Sequence, residues 1–170
     1  MLSLLFPVLA RAAERQLSEF NPQNVANTAW AFATVNYRDE KLLAALAIAA
    51  ELRLSKFNSQ EVANTAWAFA TVNYRDEKLL AALAIASERL LGEFNSQAVA
   101  NTAWAFATVH YRDEKLFAAL AIAAERRLSD FSLSSIKMAL RAFSQCEHVF
   151  VSWSPVFHSN SAISYYALRI

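Results

Sequence analysis

Residues 25–49 read VANTAWAFATVNYRDEKLLAALAIA, and residues 62–86 repeat them without a change. Residues 99–123 differ from both only at His110 and Phe117. The step between copies is 37 residues, and Phe20, Phe57, Phe94 and Phe131 keep it. A tandem array is therefore imposed before any element is assigned. Each copy must fold alike and bury its apolar side against its neighbours. Such near-identity points to a young duplication.

The array extends past its clean copies. Shifted by one period, Ala12-Ala13-Glu14 align with Ala49-Ala50-Glu51, and Leu17-Ser18 with Leu54-Ser55. Residues 1–20 thus read as the second helix of a partial repeat. The rival reading is a targeting peptide, since MLSLLFPVLARAAER is apolar and has its first acid at Glu14. The repeats span residues 21–57, 58–94 and 95–131. Residues 132–147 form a degenerate partial repeat 4, where Ile136, Ala142 and Phe143 keep the pattern and Arg141 replaces a tryptophan. Residues 148–170 are a Ser-rich apolar tail without an assignment. Fewer than four whole units suggests a piece of a longer array.

Composition narrows the fold. Hydrophobic residues make up 56% and charged residues 18%, which excludes a disordered chain. One glycine and three prolines are too few for the turns of a β-sandwich, a barrel or a doubly wound sheet. Gly92 alone cannot form a phosphate loop, and Cys146 alone cannot form a disulfide or a Cys-based zinc site. The longest apolar run, residues 42–50, is too short to span a bilayer, so no membrane role is expected. The expected fold is all-α, a right-handed α-solenoid of tandem 37-residue helical hairpins.

Capping residues set the elements of one hairpin. Asn21 suits an N-cap, Pro22 the first helical position, and Phe20 with Val25 a hydrophobic staple. Asn58 and Asn95 repeat the cap, and Asn58 with Glu61 forms a capping-box pair. Helix A should start near residue 22 and end near Val35. The next position carries Asn36, Asn73 or His110, residue types that tolerate a left-handed cap. Helix B should start near Asp39 and run to about Leu54, with Gly92 as a C-terminal glycine in the second unit.

On a helical wheel, Asn24, Asn27, Thr28, Ala31 and Thr34 fall within about 120°. The rest of helix A, with Trp30, reads as buried. Stacked A helices would align this uncharged stripe into rows: Asn27, Asn64 and Asn101, then Thr28, Thr65 and Thr102. One stripe position varies between copies, as Asn24, Glu61 and Ala98. A fixed scaffold with a changeable side chain per unit is how helical repeats read single-stranded RNA. Amides suit base edges because each has a donor and an acceptor. Glu61 reads equally as the capping partner of Asn58. Trp30, Trp67 and Trp104 read as core before stacking platforms.

Charge is the objection. The three units carry +1, −2 and 0, whereas a phosphate-tracking surface is basic. Arg38, Arg75 and Arg112 in the A–B turns, with Lys41, Lys78 and Lys115, form two rungs of a basic edge or a salt-bridged solvated face. Nothing supplies a catalytic constellation. Asp39-Glu40 is helix-start electrostatics, His110 is a cap, and His148 and His158 have no spaced partners. No enzyme, cofactor, metal or small-molecule substrate is expected.

The run from Phe20 to Ala33, FNPQNVANTAWAFA, resembles the octotricopeptide repeats of algal organelle proteins and their 37-residue heptatricopeptide relatives. Their hallmark helix opens Pro-Gln and carries Ala-Asn-x-Leu-Trp-Ala before a glycine turn. Here the turn holds Asn36, Asn73 or His110, and Pro-Gln is complete only in the first unit. The resemblance covers roughly residues 5–146. It implies sequence-selective binding of single-stranded RNA in a chloroplast or mitochondrion, for transcript maturation, stability or translation. Many relatives end in a RAP domain, which the tail is too short to contain. The alternative is a protein-interaction scaffold, suited by near-neutral charge.

Overall fold

The computed structural model describes residues 2–145. The tail at 148–170 and the end of the fourth unit lie outside the described residues. Eight α-helices occupy the described chain, with no strand among them: α1 Leu2–Gln16, α2 Pro22–Thr34, α3 Glu40–Glu51, α4 Ser59–Thr71, α5 Glu77–Leu90, α6 Ser96–Thr108, α7 Glu114–Glu125 and α8 Leu133–Ser144. The described chain is all-α.

The helix ends follow the local chemistry. The side chains of Asn21, Asn58 and Asn95 accept the N–H of the third helical residue at 2.8–2.9 Å. Asp39, Asp76 and Asp113 do the same for α3, α5 and α7. Asn36, Asn73 and His110 take φ of 51°, 51° and 54°, the left-handed cap expected of them. In the first unit Asn36 N–H donates to Ala33 O and Tyr37 N–H to Phe32 O, each at 2.9 Å, the two bonds of a Schellman closure.

Two boundaries depart from the sequence reading. Helix α3 stops at Glu51 rather than near Leu54, and a 3-10 turn over Leu54–Lys56 follows. The tighter turn brings the chain back so that Phe57 is buried beside the next N-cap. Gly92 sits inside the equivalent turn, Leu91–Glu93, and has no positive φ. It is not a left-handed C-cap, because the tight turn already satisfies the helix end.

Helices α2, α4, α6 and α8 pack in sequence, each on the next, and α1, α3, α5 and α7 make a second row behind them. The core runs continuously between the rows. Val25, Val62, Leu46, Leu83 and Phe106 in it are wholly buried. Arginines tie adjacent units together. Arg53 Nη2 donates to Leu17 O at 3.3 Å, Arg89 Nη2 to Leu54 O at 2.9 Å, and Arg127 Nη2 to Gly92 O at 2.9 Å. Ion pairs do likewise between second-row helices: Lys41–Glu14 at 2.7 Å, Lys78–Glu51 at 2.6 Å and Lys115–Glu88 at 2.5 Å.

Candidate nucleic-acid interface

Each inner first-row helix has four sides. One faces the second row, two face its neighbours, and one faces solvent. In α2 the solvent side carries Gln23, Asn27, Trp30 and Thr34, spaced i, i+4, i+7 and i+11. In α4 it carries Gln60, Asn64, Trp67 and Thr71, and in α6 Gln97, Asn101, Trp104 and Thr108. This open side is rotated by roughly 70° from the arc read on the wheel, at 100° per residue.

The rotation corrects several expectations. Thr65 and Thr102 are wholly buried, and among the described residues their hydroxyls have no hydrogen-bond partner. They lie on the seam with the preceding helix, so a ligand cannot reach them; Thr28, which has no preceding helix, is half-buried. The seam tolerates threonine because its volume matches valine, and its polarity misled the wheel. Conversely, Trp30 is 46% exposed and Trp67 and Trp104 are only half-buried. The rings of Trp67 and Trp104 meet across the units, centroids 6.4 Å apart and tilted 34°.

The variable position is not on the open side either. Asn21 N–H donates to Asn24 Oδ1 at 3.1 Å, and Asn58 N–H donates to Glu61 Oε2 at 2.8 Å. Both close capping boxes, and Ala98 is buried. The third helical residue faces the orphan N–H groups of its own helix start, which engages it before any ligand can.

Asn64 and Asn101 do come together. A crevice of about 190 Å³ between α4 and α6 is lined by both, with Gln60, Gln97 and Asn95. The glutamines were missed as site residues although Gln23, Gln60 and Gln97 keep the 37-residue step, a signal as regular as the asparagine row.

The cations of the turn edge are mostly engaged. Arg38 Nε pairs with Glu40 at 2.6 Å and Arg75 Nε with Glu77 at 2.5 Å, while Arg112 makes no ion pair among the described residues. The hydrogen bonds that Lys78 and Lys115 donate to Glu51 and Glu88, and then the charge of those carboxylates, raise the pKa of both lysines above the usual value. A phosphate would have to displace these acids. The unengaged cations on the first row are on α8. Arg141 continues the tryptophan row, one period after Trp104, and with Lys137 is exposed and unpaired among the described residues.

Among the described residues, no group of three or more His, Cys, Asp or Glu could hold a metal ion. No described helix is long and apolar enough to cross a membrane. The family model described as RNA-editing substrate-binding complex 6 protein matches residues 4–157. No curated protein matches the chain.

Proposed function

The chain belongs to the RNA-editing substrate-binding complex 6 protein family, and on that premise we propose that it is a non-catalytic module binding single-stranded RNA on the open side of its first helix row. The observation that carries this reading is the Gln-Asn-Trp-Thr stripe, present on three successive helices with its indoles partly exposed. Aromatic faces stack unpaired bases, and neighbouring amides offer a donor and an acceptor to base edges. Lys137 and Arg141 supply positive charge at one end of the stripe. The small charge of the whole chain fits weak, base-centred contact rather than phosphate tracking.

The finer parts of the reading join it here. The units are residues 21–57, 58–94 and 95–131 of a right-handed α-solenoid, with residues 1–20 as the second helix of a partial repeat and 132–147 as a degenerate fourth. The shared place of Glu14, Glu51 and Glu88 in the ion-pair ladder supports this register. The octotricopeptide and heptatricopeptide resemblance, and a role in organellar transcript maturation, stability or translation, belong to the same proposal. The turn arginines Arg38, Arg75 and Arg112 are secondary in it.

The test is titration of the chain with a random single-stranded RNA pool at two salt concentrations. The variant Trp67→Ala/Trp104→Ala should weaken binding by about tenfold or more, at ~1–3 kcal/mol per stacked base. Asn64→Ala/Asn101→Ala should weaken it and flatten base preference, while Arg75→Ala changes it less than about twofold. A folded chain that binds no RNA, or binds equally in all variants, would refute the reading.

A further inference from the structure

Two seams of the first row carry the same amides and differ in what stands among them. The crevice of about 190 Å³ between α4 and α6 is lined by Gln60, Asn64, Gln97 and Asn101, and no charged residue borders it. None of these four side chains makes a hydrogen bond among the described residues. At ~30 Å³ per water the space holds about six waters, the scale of a single nucleobase.

The crevice is open because residue 98 is alanine. It is the third residue of its helix, a position that elsewhere closes the helix start. Asn24 accepts the N–H of Asn21 at 3.1 Å, and Glu61 accepts that of Asn58 at 2.8 Å. Ala98 has no acceptor to offer, so the N–H of Asn95, at the edge of the crevice, has no partner among the described residues. In the α2–α4 seam Gln23, Asn27, Gln60 and Asn64 hold the equivalent positions, but Glu61 stands in place of Ala98 and folds back onto Asn58. In the α6–α8 seam Ser134 and Met138 replace two of the amides.

We propose that the α4–α6 crevice seats the edge of one nucleobase, and that residue 98 determines its access. The base presents a carbonyl or a ring nitrogen to the Asn95 N–H, where a capping side chain would otherwise accept. The rest of its edge pairs with the amides, each a donor and an acceptor. Trp67 and Trp104 follow Asn64 and Asn101 by one helical turn, so a base stacked on an indole carries its edge to the amides. The α2–α4 seam, filled by Glu61, seats none. The position that varies between units thus sets selection by the room it leaves. This inference rests on the RNA-binding reading above.

The test takes the full chain and the random single-stranded RNA pool, and sequences the bound RNA. Four variants separate size from charge. Ala98→Gln and Ala98→Glu give α6 the side-chain length that α4 already accommodates at Glu61, with Asn95 as the capping partner, so both keep the fold. Each should weaken binding by about tenfold and remove one selected base position. Glu61→Ala recreates the crevice between α2 and α4. It should add a selected position and tighten binding by about tenfold, whereas Glu61→Gln keeps the length and should change affinity by less than about twofold. RNA binding that neither Ala98 variant weakens overturns the proposal and leaves the stripe reading standing. Weakening by Ala98→Glu alone, or tightening by Glu61→Gln equal to that by Glu61→Ala, also overturns it, because charge and not room would then be the cause. Folded chains that bind no RNA in any form refute both.

Discussion

Among the described residues, helices α2 and α8 stand at opposite ends of the first row, and each meets a first-row helix on one side only. They meet the situation differently. Helix α2 keeps the repeat sequence unchanged, so Phe32 and Val35, buried everywhere else in the array as their equivalents, face an open groove. Helix α8 has exchanged the apolar residues of its free side for Lys137, Arg141 and Ser144, and water solvates them. Terminal units of helical arrays need a polar outer face to stay soluble. Among the described residues α8 presents such a face and α2 does not. The same 25 residues therefore bury Phe69 and Val72 in one unit and leave Phe32 and Val35 beside an open groove in another.

The sharpest way to expose this difference is to put one substitution into two identical sequence contexts. Ala68→Glu buries a carboxylate in the α2–α4 seam and should cost about 3–5 kcal/mol in urea unfolding. Ala31→Glu, at the same repeat position, should change stability by less than about 0.5 kcal/mol. Equal effects would mean that the groove on α2 is covered just as the α2–α4 seam is. The comparison can also be broken from the other side. Lys137→Ala with Arg141→Trp restores the apolar face of α8 and should convert a monomer into head-to-tail oligomers by sedimentation velocity. A further Ala31→Glu should reverse the association. At the small end of the scale, Thr102→Val removes an orphaned buried hydroxyl and should stabilise by about 1 kcal/mol, whereas Thr28→Val should be nearly neutral. Ser87→Ala, which restores the residue found at Ala50 and Ala124, should stabilise by about 1 kcal/mol in thermal unfolding.

Much of the fold was legible because it is written in short-range chemistry. Asn21, Asn58 and Asn95 cap where their side chains allow, and Asn36, Asn73 and His110 turn left-handed because few other residues tolerate it. The open side was not legible, because it depends on where neighbours pack. A wheel built on polarity grouped Thr28 with Asn27, yet Thr65 and Thr102 belong to a seam whose requirement is volume. The same wheel hid Trp67 and Trp104, whose indoles stay partly open because the helices meet through alanines beside them. Glu61 had two readings from its spacing, and the N–H of Asn58 donates to it at 2.8 Å, as the capping reading expects. The interunit pairs of Lys41, Lys78 and Lys115 carry a signal only once unit-to-unit contact is known.

The arginine clamps hold a further consequence. Units this similar can dock in the wrong order while folding, since a slip of one whole unit preserves nearly every contact. The guanidiniums that grip the preceding turn come from Arg53, Arg89 and Arg127, steps of 36 and then 38 in a lattice of 37. Arg53 grips Leu17 and Ser18 and Arg89 grips Leu54 and Ser55, the same pair of carbonyls one period apart, so the clamp works from either of two adjacent helix positions. The clamps thus fasten any unit to the turn before it, and the order of otherwise interchangeable units rests on the connectivity of the chain.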